Sequence, residues 1–210
     1  EDSRGGVWWA VVEQATQRIL RAAEQLATGK TMPRVVHVGA IVHIYVTDPT
    51  GGQILCYPVS VDDYDAPLIP TVIATDLSMT APHYDAVRHD DTVGDFPALI
   101  AYATTGGVVR VGYVDATGAM GGSGLPAPAP TAIPSDGPVA ISWSSSAVAV
   151  DAWAVAPVAI ASSDGSIDII VTVLDAATLA ATLGSGAATE AASAQRIAAT
   201  FDADAVVWAW

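Results

Sequence analysis

The segment from residue 41 to residue 59 reads IVHIYVTDPTGGQILCYPV, and it decides how we expect this chain to fold. Two apolar runs rich in β-branched and aromatic residues flank Asp48-Pro49-Thr50-Gly51-Gly52, which is a strong turn signal. Apolar runs on either side of a short turn are typical of two paired antiparallel strands. The sequence therefore predicts a β-hairpin over residues 41–59.

Similar apolar runs continue outward from this hairpin in both directions. The stretch from Val35 to Val46 is interrupted by Gly39 and favours either one strand or two. No internal repeat or heptad pattern accompanies these runs. Further strands are predicted over residues 71–74, 83–88, 108–114, 139–143, 147–155, 167–173 and 205–210.

Three segments carry helical signals instead. In residues 7–27, apolar residues recur near a period of 3.6, and Gly29 stands where a helix cap is expected. Shorter helices are predicted over residues 176–183 and 188–201, the second with Glu190 and Arg196 placed to suit the helix dipole. We therefore expect an α+β fold.

A composition shift divides the chain. Residues 116–138 are rich in Gly, Pro and Ala, and alternating prolines favour an extended polyproline II conformation that cannot join a central sheet. This segment is predicted to be a linker or an arm that crosses a surface. It separates an α+β region, residues 1–115, from a β-rich region with two helices, residues 139–210. The prolines proposed as interface residues are Pro126, Pro128 and Pro130.

Charge and hydropathy exclude some partners and favour others. The formal net charge is −14, and Lys30 is the only lysine, so we expect no direct binding to nucleic acid or to anionic membranes. Hydrophobic residues make up 51% of the chain, yet no run is long and apolar enough to span a bilayer. The excess apolar surface indicates contact with other subunits, and the apolar C-terminal end makes Trp208 and Trp210 interface candidates. Two alternatives stay open: an Ala- and Val-rich composition without large exposed patches, and an acidic halophilic protein.

The chemistry-bearing residues are few. Cys56 is the only cysteine, so no internal disulfide forms, and a reducing compartment is favoured. Its apolar neighbours predict a buried structural thiol. In an extended strand His83, Asp85, His89 and Asp91 share one face, but no second cluster supports a metal site. We predict neither a metal nor a cofactor.

Two further segments carry a family resemblance. Residues 2–11 read DSRGGVWWAV and residues 82–87 read PHYDAV. Together they resemble the nucleophile and histidine motifs of the ovarian-tumour (OTU) family of cysteine peptidases, most of which are deubiquitinases. The resemblance covers about residues 2 to 90, and Gly6 stands where the family has its cysteine. The residues that fit the nucleophile motif are Asp2, Val7, Trp8, Ala10 and Val11.

The resemblance implies an OTU-like fold in the N-terminal region without peptidase chemistry. A thiolate is the nucleophile in this class, and glycine has none. Asp2, Gly6 and His83 are then relic positions, with His83 at the place of the general base. The family keeps its nucleophile at a helix N-terminus, which agrees with a helix over residues 7–27.

These observations predict a non-catalytic structural or interaction protein, a pseudo-peptidase fold that is a subunit of a larger assembly. The first residue is Glu1 rather than Met, which favours release from a polyprotein. OTU-like domains are common in RNA-virus polyproteins, so a capsid-surface component of a virion, or a protein of the host cytoplasm, is the specific expectation. The alternatives are a deubiquitinase or polyprotein-processing peptidase that uses Cys56, and a ubiquitin-binding pseudoenzyme.

Overall fold

The chain is all-β in the part that its structure, a computed structural model, describes. That part comprises residues 6–38, 40–66, 68–78, 83–88, 98–121, 129–134, 139–142, 158–163, 167–173, 186–190, 198–202 and 205–209. Sixteen strands and no helix occur in these ranges, so the predicted α+β class is wrong.

The strands are β1 (Gly6–Val12), β2 (Ile19–Thr28), β3 (Thr31–Val38), β4 (Ile41–Asp48), β5 (Gln53–Ser60), β6 (Thr71–Ala74), β7 (Tyr84–Arg88), β8 (Ala98–Ala103), β9 (Val108–Val114), β10 (Ala129–Pro134), β11 (Val139–Ser142), β12 (Val158–Ser163), β13 (Ile167–Val173), β14 (Gly186–Glu190), β15 (Ala198–Asp202) and β16 (Ala205–Ala209). Short turns join β1 to β2, β2 to β3, β4 to β5 and β8 to β9, whose connecting residues are all described.

Each sheet is built from consecutive strands. Three four-stranded sheets contain β3 to β6, β7 to β10 and β11 to β14, in chain order. Two-stranded sheets, β1–β2 and β15–β16, flank them in the sequence. Every pair of neighbours is antiparallel.

The first strands of successive sheets contact one another. Strand β3 contacts β7, β7 contacts β11, and β11 contacts β15. Antiparallel four-stranded sheets that succeed each other in this way, each meeting the next at its first strand, resemble the blades of a β-propeller. The first strands thus form the inner side of the array.

Each face of the β3–β6 sheet packs against a neighbour. Alternate residues of β4 point to opposite faces, as period two requires. Tyr45 belongs to a core that includes Tyr84, Ile100 and Tyr102 of the β7–β10 sheet. On the other face, Val7 of β1 packs into a second core with Ile44, Val46, Leu55, Tyr57 and Val59. The β1–β2 hairpin and the β7–β10 sheet therefore cover opposite faces of one sheet.

The helix predicted over residues 7–27 is wrong, because this segment forms β1, a turn and β2. Gln17 adopts a positive φ of 58° in the turn, and the amide of Glu13 donates to the carbonyl of Arg18 at 2.9 Å. Burial alternates along β1: Val7 and Trp9 pack against the adjoining sheet, while Trp8, Ala10 and Val12 are exposed. The apolar face of that sheet therefore favours a strand in this segment.

The second helix prediction, residues 188–201, is also wrong at both ends. Residues 188–190 belong to β14 and residues 198–201 to β15. The helix predicted over residues 176–183 and the strand predicted over residues 147–155 lie outside the described residues.

Most strand predictions are confirmed. The predicted hairpin is β4–β5, with Asp48 opposite Gln53, and the stretch broken at Gly39 is the two strands β3 and β4. Residues 71–74, 108–114 and 167–173 are strands with the predicted bounds. Within the predicted linker, β10 pairs with β9 at the edge of its sheet, a position where prolines are tolerated. The division of the chain into two regions stays a prediction.

Asp85 of β7 ties three sheets together. Its carboxylate accepts hydrogen bonds from Arg34 Nε in β3 and from the amide of Ile141 in β11, both at 3.3 Å. The neighbouring Tyr84 hydroxyl donates to the carbonyl of Met32 in β3 at 2.6 Å. The inner strands are therefore joined by side-chain bonds as well as by apolar packing.

Removing the Asp85 carboxylate should weaken the whole fold. We expect Asp85→Ala to lower the free energy of unfolding by about 2–3 kcal/mol, since it leaves a buried amide and a guanidinium without their acceptor. Asp85→Asn keeps one acceptor oxygen and should cost about 1 kcal/mol. Urea unfolding of the three proteins measures both losses. Equal, negligible losses would show that Asp85 does not join the sheets.

The same carboxyl should make the free energy of unfolding depend on pH. Burial raises the pKa of Asp85, and the Ile141 amide and Arg34 only partly oppose this. The native state thus keeps the proton to a higher pH than the unfolded chain, so this contribution to stability is full below the unfolded pKa of about 3.9 and is lost as pH rises through the native pKa. Asp85→Asn should remove this loss of stability with rising pH, and urea unfolding at several pH values measures it.

Gly118 is required where the turn after β9 approaches β5. Its φ is +81°, and a Cβ there would lie 2.9 Å from Cys56 Sγ. We expect Gly118→Ala to cost about 2–4 kcal/mol, from the left-handed backbone and from overpacking. Gly107 has a φ of +72° with nothing within 4 Å of a Cβ, so Gly107→Ala should cost only about 1 kcal/mol. Equal losses of stability for the two variants in urea unfolding would show that a Cβ at Gly118 does not overlap Cys56.

Candidate interaction surface

The two OTU-like motifs lie in different sheets. Gly6 begins β1, a strand and not the N-terminus of a helix, in the hairpin on one face of the β3–β6 sheet. His83 immediately precedes β7, in the sheet on the opposite face. Asp2 lies outside the described residues. A nucleophile and its base must lie within hydrogen-bond reach, and sheets on opposite sides of a third sheet do not provide that arrangement.

Cys56 lies in a buried polar cluster between two sheets. It is fully buried and contacts Tyr45, whose hydroxyl lies 2.9 Å from His43 Nδ1. His43 Nε2 lies 3.4 Å from the carbonyl oxygen of Ala116, in the turn that follows β9. The cluster therefore holds that turn against the first four-stranded sheet.

Burial sets the protonation of this cluster. It raises the pKa of Cys56 to about 12 and lowers the pKa of His43, although the Ala116 carbonyl and Asp115 oppose the second shift. The thiol is therefore protonated and the imidazole neutral near pH 7. A protonated, enclosed thiol is a poor nucleophile, so the structure gives Cys56 the environment of a structural residue.

The predicted interface residues are only partly within the described chain. Trp208 belongs to β16, and Pro130 belongs to β10, where it pairs with Arg110. Trp210, Pro126 and Pro128 lie outside the described residues. The assignment of these five residues to an interface stays a prediction.

A small polar cleft lies at the junction of the first two four-stranded sheets. Its volume is about 250 Å³, and Asp76 and Arg110 are the charged residues in its lining. The Asp76 carboxylate accepts from the Tyr102 hydroxyl and from Arg110 Nη1, both at 2.9 Å. These bonds join the two sheets, so the three residues have a structural explanation.

Among the side chains that the structure describes, the exposed apolar ones are concentrated in the hairpin and the first four-stranded sheet. Among the described side chains, all large apolar residues with high exposure belong to the hairpin or to the β3–β6 sheet and its loops, and none belongs to β7, β8 or β9. They are Trp8, Val12, Ile19, Val35, Val61, Ile69 and Val72. Such a concentration is typical of a contact surface.

Four of these residues line one apolar cleft. The hairpin cleft, defined by Trp8, Val12, Val35 and Val61 at its rim, has a volume of about 460 Å³ and lies between β1 and the β3–β5 face. Val35 of β3 is 65% exposed beside it. Two strands cover a four-stranded sheet incompletely, which leaves this cleft at the β3 side.

A second group lies at the opposite margin of the same face. The outer apolar patch consists of Ile69, 76% exposed, and Val72 of the edge strand β6, 47% exposed. Val72 pairs with Leu55, whose side chain belongs to the hairpin-facing core. The patch therefore continues that apolar face beyond the area that the hairpin covers.

The sequence did not identify these residues because their exposure depends on what covers the sheet. Alternating apolar residues on both faces of β4 and β5 indicate a sheet buried on two sides. The segment Leu68-Ile69-Pro70 is apolar within an otherwise acidic loop, and it was the available signal for the outer apolar patch.

Neither a metal site nor a membrane-spanning helix is present in the described ranges. These ranges contain no group of three or more His, Cys, Asp or Glu side chains placed to hold a metal ion. They also contain no helix of the length and hydropathy that a membrane span requires. His89 and Asp91, considered above as ligands, lie outside them.

No family model, no curated protein and no solved structure matches this chain.

The thiol environment predicts low reactivity. Native protein at about pH 8 should react with a thiol reagent far more slowly than the same protein unfolded in guanidinium, by about a hundredfold or more, because the buried thiol stays protonated. A colorimetric disulfide reagent measures both rates. Fast labelling of the folded protein would contradict the buried, inert thiol.

Proposed function

We propose that this chain is a non-catalytic interaction protein that serves as a subunit of a larger protein assembly. The observation that carries the proposal is the concentration of exposed apolar side chains on the hairpin side of the first four-stranded sheet. The outer apolar patch is the contact surface for the partner subunit.

The surroundings of the patch support a protein partner. Ile69 follows a loop that carries Asp62, Asp63 and Asp65, so an apolar centre lies beside charged, solvated residues. This combination of apolar core and polar rim is usual at protein interfaces. The net charge of −14 opposes contact with nucleic acid phosphates.

The more specific setting rests on sequence resemblance alone. A capsid-surface component of a virion, located in the particle or in the host cytoplasm, agrees with an OTU-like origin in a viral polyprotein. The alternatives of a deubiquitinase, a polyprotein-processing peptidase or a ubiquitin-binding pseudoenzyme rest on the same two motifs. Reaction of Gly6→Cys with an electrophilic ubiquitin probe would support that origin.

The outer apolar patch should control assembly. We expect the purified chain to have a native mass well above 21.4 kDa, or to co-purify with a larger protein. The double variant Ile69→Ser and Val72→Thr should shift the mass towards 21.4 kDa, because it removes the apolar contact without altering the core. Light scattering at physiological salt measures both.

A matched control distinguishes the patch from general hydrophobicity. Ile19 is 65% exposed at the hairpin tip, so Ile19→Ser removes an equally exposed apolar side chain elsewhere. This variant should keep the wild-type mass, and all variants should unfold within about 0.5 kcal/mol of the wild type. A monomeric wild-type protein with no bound partner would overturn the proposal.

A further inference from the structure

The hairpin cleft has the size and the lining of a small-molecule site. Its volume of about 460 Å³ falls within the range of ligand pockets in proteins, about 300–1,000 Å³. The floor is the apolar face of the β3–β6 sheet, with Ile44 and Val59, and one wall is β1, with Trp9. A ligand in this cleft contacts apolar side chains of two different sheets.

The lining carries no formal charge. Fifteen of the residues that the structure describes line the cleft, and none of them is Asp, Glu, Lys, Arg or His. The polar side chains among them are the hydroxyls of Ser60 and Tyr64. A charged ligand would lose hydration in this cleft without gaining an opposite charge, which is costly. The lining therefore selects an uncharged ligand.

The charges beside the cleft are paired with each other. Arg21 of β2 forms an ion pair with Glu24 and donates to the carbonyl of Tyr64. Its guanidinium lies 4.5 Å from the centroid of the Trp9 ring, and Trp9 Nε1 donates to Glu24 at 3.1 Å. These contacts hold the Trp9 indole from two sides. An aromatic wall that is fixed before binding lowers the ordering cost of taking up a ligand.

Aromatic side chains are prominent in the lining. Trp8, Trp9 and Tyr64 all belong to it, and Trp8 is 50% exposed at the rim. Such rings bury large areas and pair favourably with other aromatic rings in offset or edge-on arrangements. A ligand that fills the cleft also covers Val35, which is 65% exposed, and this removal of apolar surface from water favours binding.

We propose that the hairpin cleft binds one small, uncharged aromatic molecule in contact with Trp8, Trp9 and Val35. The site is separate from the surface assigned to the partner subunit. Ile69 and Val72 of the outer apolar patch lie at the opposite margin of the face and do not line the cleft. Failure of the proposed assembly would therefore leave this site intact, and the reverse also holds.

Two dyes with the same aromatic framework test the selection by charge. Phenylnaphthylamine is uncharged, whereas anilinonaphthalene sulfonate adds a negative sulfonate, and both become fluorescent in apolar sites. The uncharged dye should bind the unaltered full-length chain at a single site. The sulfonate should bind at least about tenfold more weakly, because its charge finds no partner in the cleft. Fluorescence titrations measure both affinities and the stoichiometry.

A lysine at the rim should change this selection. Val35→Lys adds a positive charge at a 65% exposed position, so it should weaken binding of the uncharged dye and strengthen binding of the sulfonate. The ratio of the two affinities should change by about tenfold or more. Ile19→Lys is the matched control, since Ile19 is also a 65% exposed strand residue but does not line the cleft. It changes the net charge equally and should keep the wild-type ratio.

A second rim position keeps the test valid if one variant fails to fold. Val61 lines the cleft and is 40% exposed. Val61→Lys should change the affinity ratio in the same direction as Val35→Lys. Urea unfolding identifies a variant that has lost its fold, and the ratio is then taken from the other variant.

The other results overturn the inference. Absence of dye binding, or equal affinity for the two dyes, would show that the cleft does not select an uncharged aromatic ligand. An unchanged ratio in both rim variants would place the dye outside the cleft, and loss of binding in Ile69→Ser with Val72→Thr would place it on the outer apolar patch. Dye binding that falls as the native mass rises with protein concentration would show that a second copy covers the cleft.

Discussion

The partly buried carboxylate of Asp85 is the constraint on which the relation between the sheets depends. A carboxylate taken from water is costly unless donors replace the lost hydration. Here one donor comes from the preceding sheet and one from the following sheet, through Arg34 and Ile141. Satisfying the charge therefore fixes the positions of three inner strands at once. Apolar packing alone is non-directional and would not specify that register.

The sequence predicted the local strands better than their context. The 41–59 hairpin carries its own turn, with Asp48 accepting from the amides of Thr50 and Gly51, so its structure depends on neighbours in sequence. The apolar residues of 7–27 recur near a helical period, yet the segment forms two strands. What decides the outcome is the apolar face of β4 and β5, which lies in a different part of the chain.

The candidate surface was less predictable still. The apolar neighbours of Cys56 in sequence predicted a buried thiol, and the structure confirms that it is buried. Exposure of Val35 and Val72 is not a local property, since both belong to β-rich runs that read as core. It follows from how many strands cover one sheet, and the absence of sequence repeats hid the recurring four-stranded unit. The OTU-like motifs single out Gly6 and His83. In the structure, it is the nearby Asp85 that bonds to the two adjoining sheets.

The consecutive order of strands within each sheet also bears on how the chain is made. Each four-stranded unit pairs residues that are close in sequence, so its hydrogen bonds close short loops and form with little entropic cost. A ribosome releases the units one after another, and each can assemble before the next is complete. Only the face-to-face contacts, including those of Asp85, must wait for a neighbour. The chain thus grows as a series of local foldings joined by a few long-range bonds.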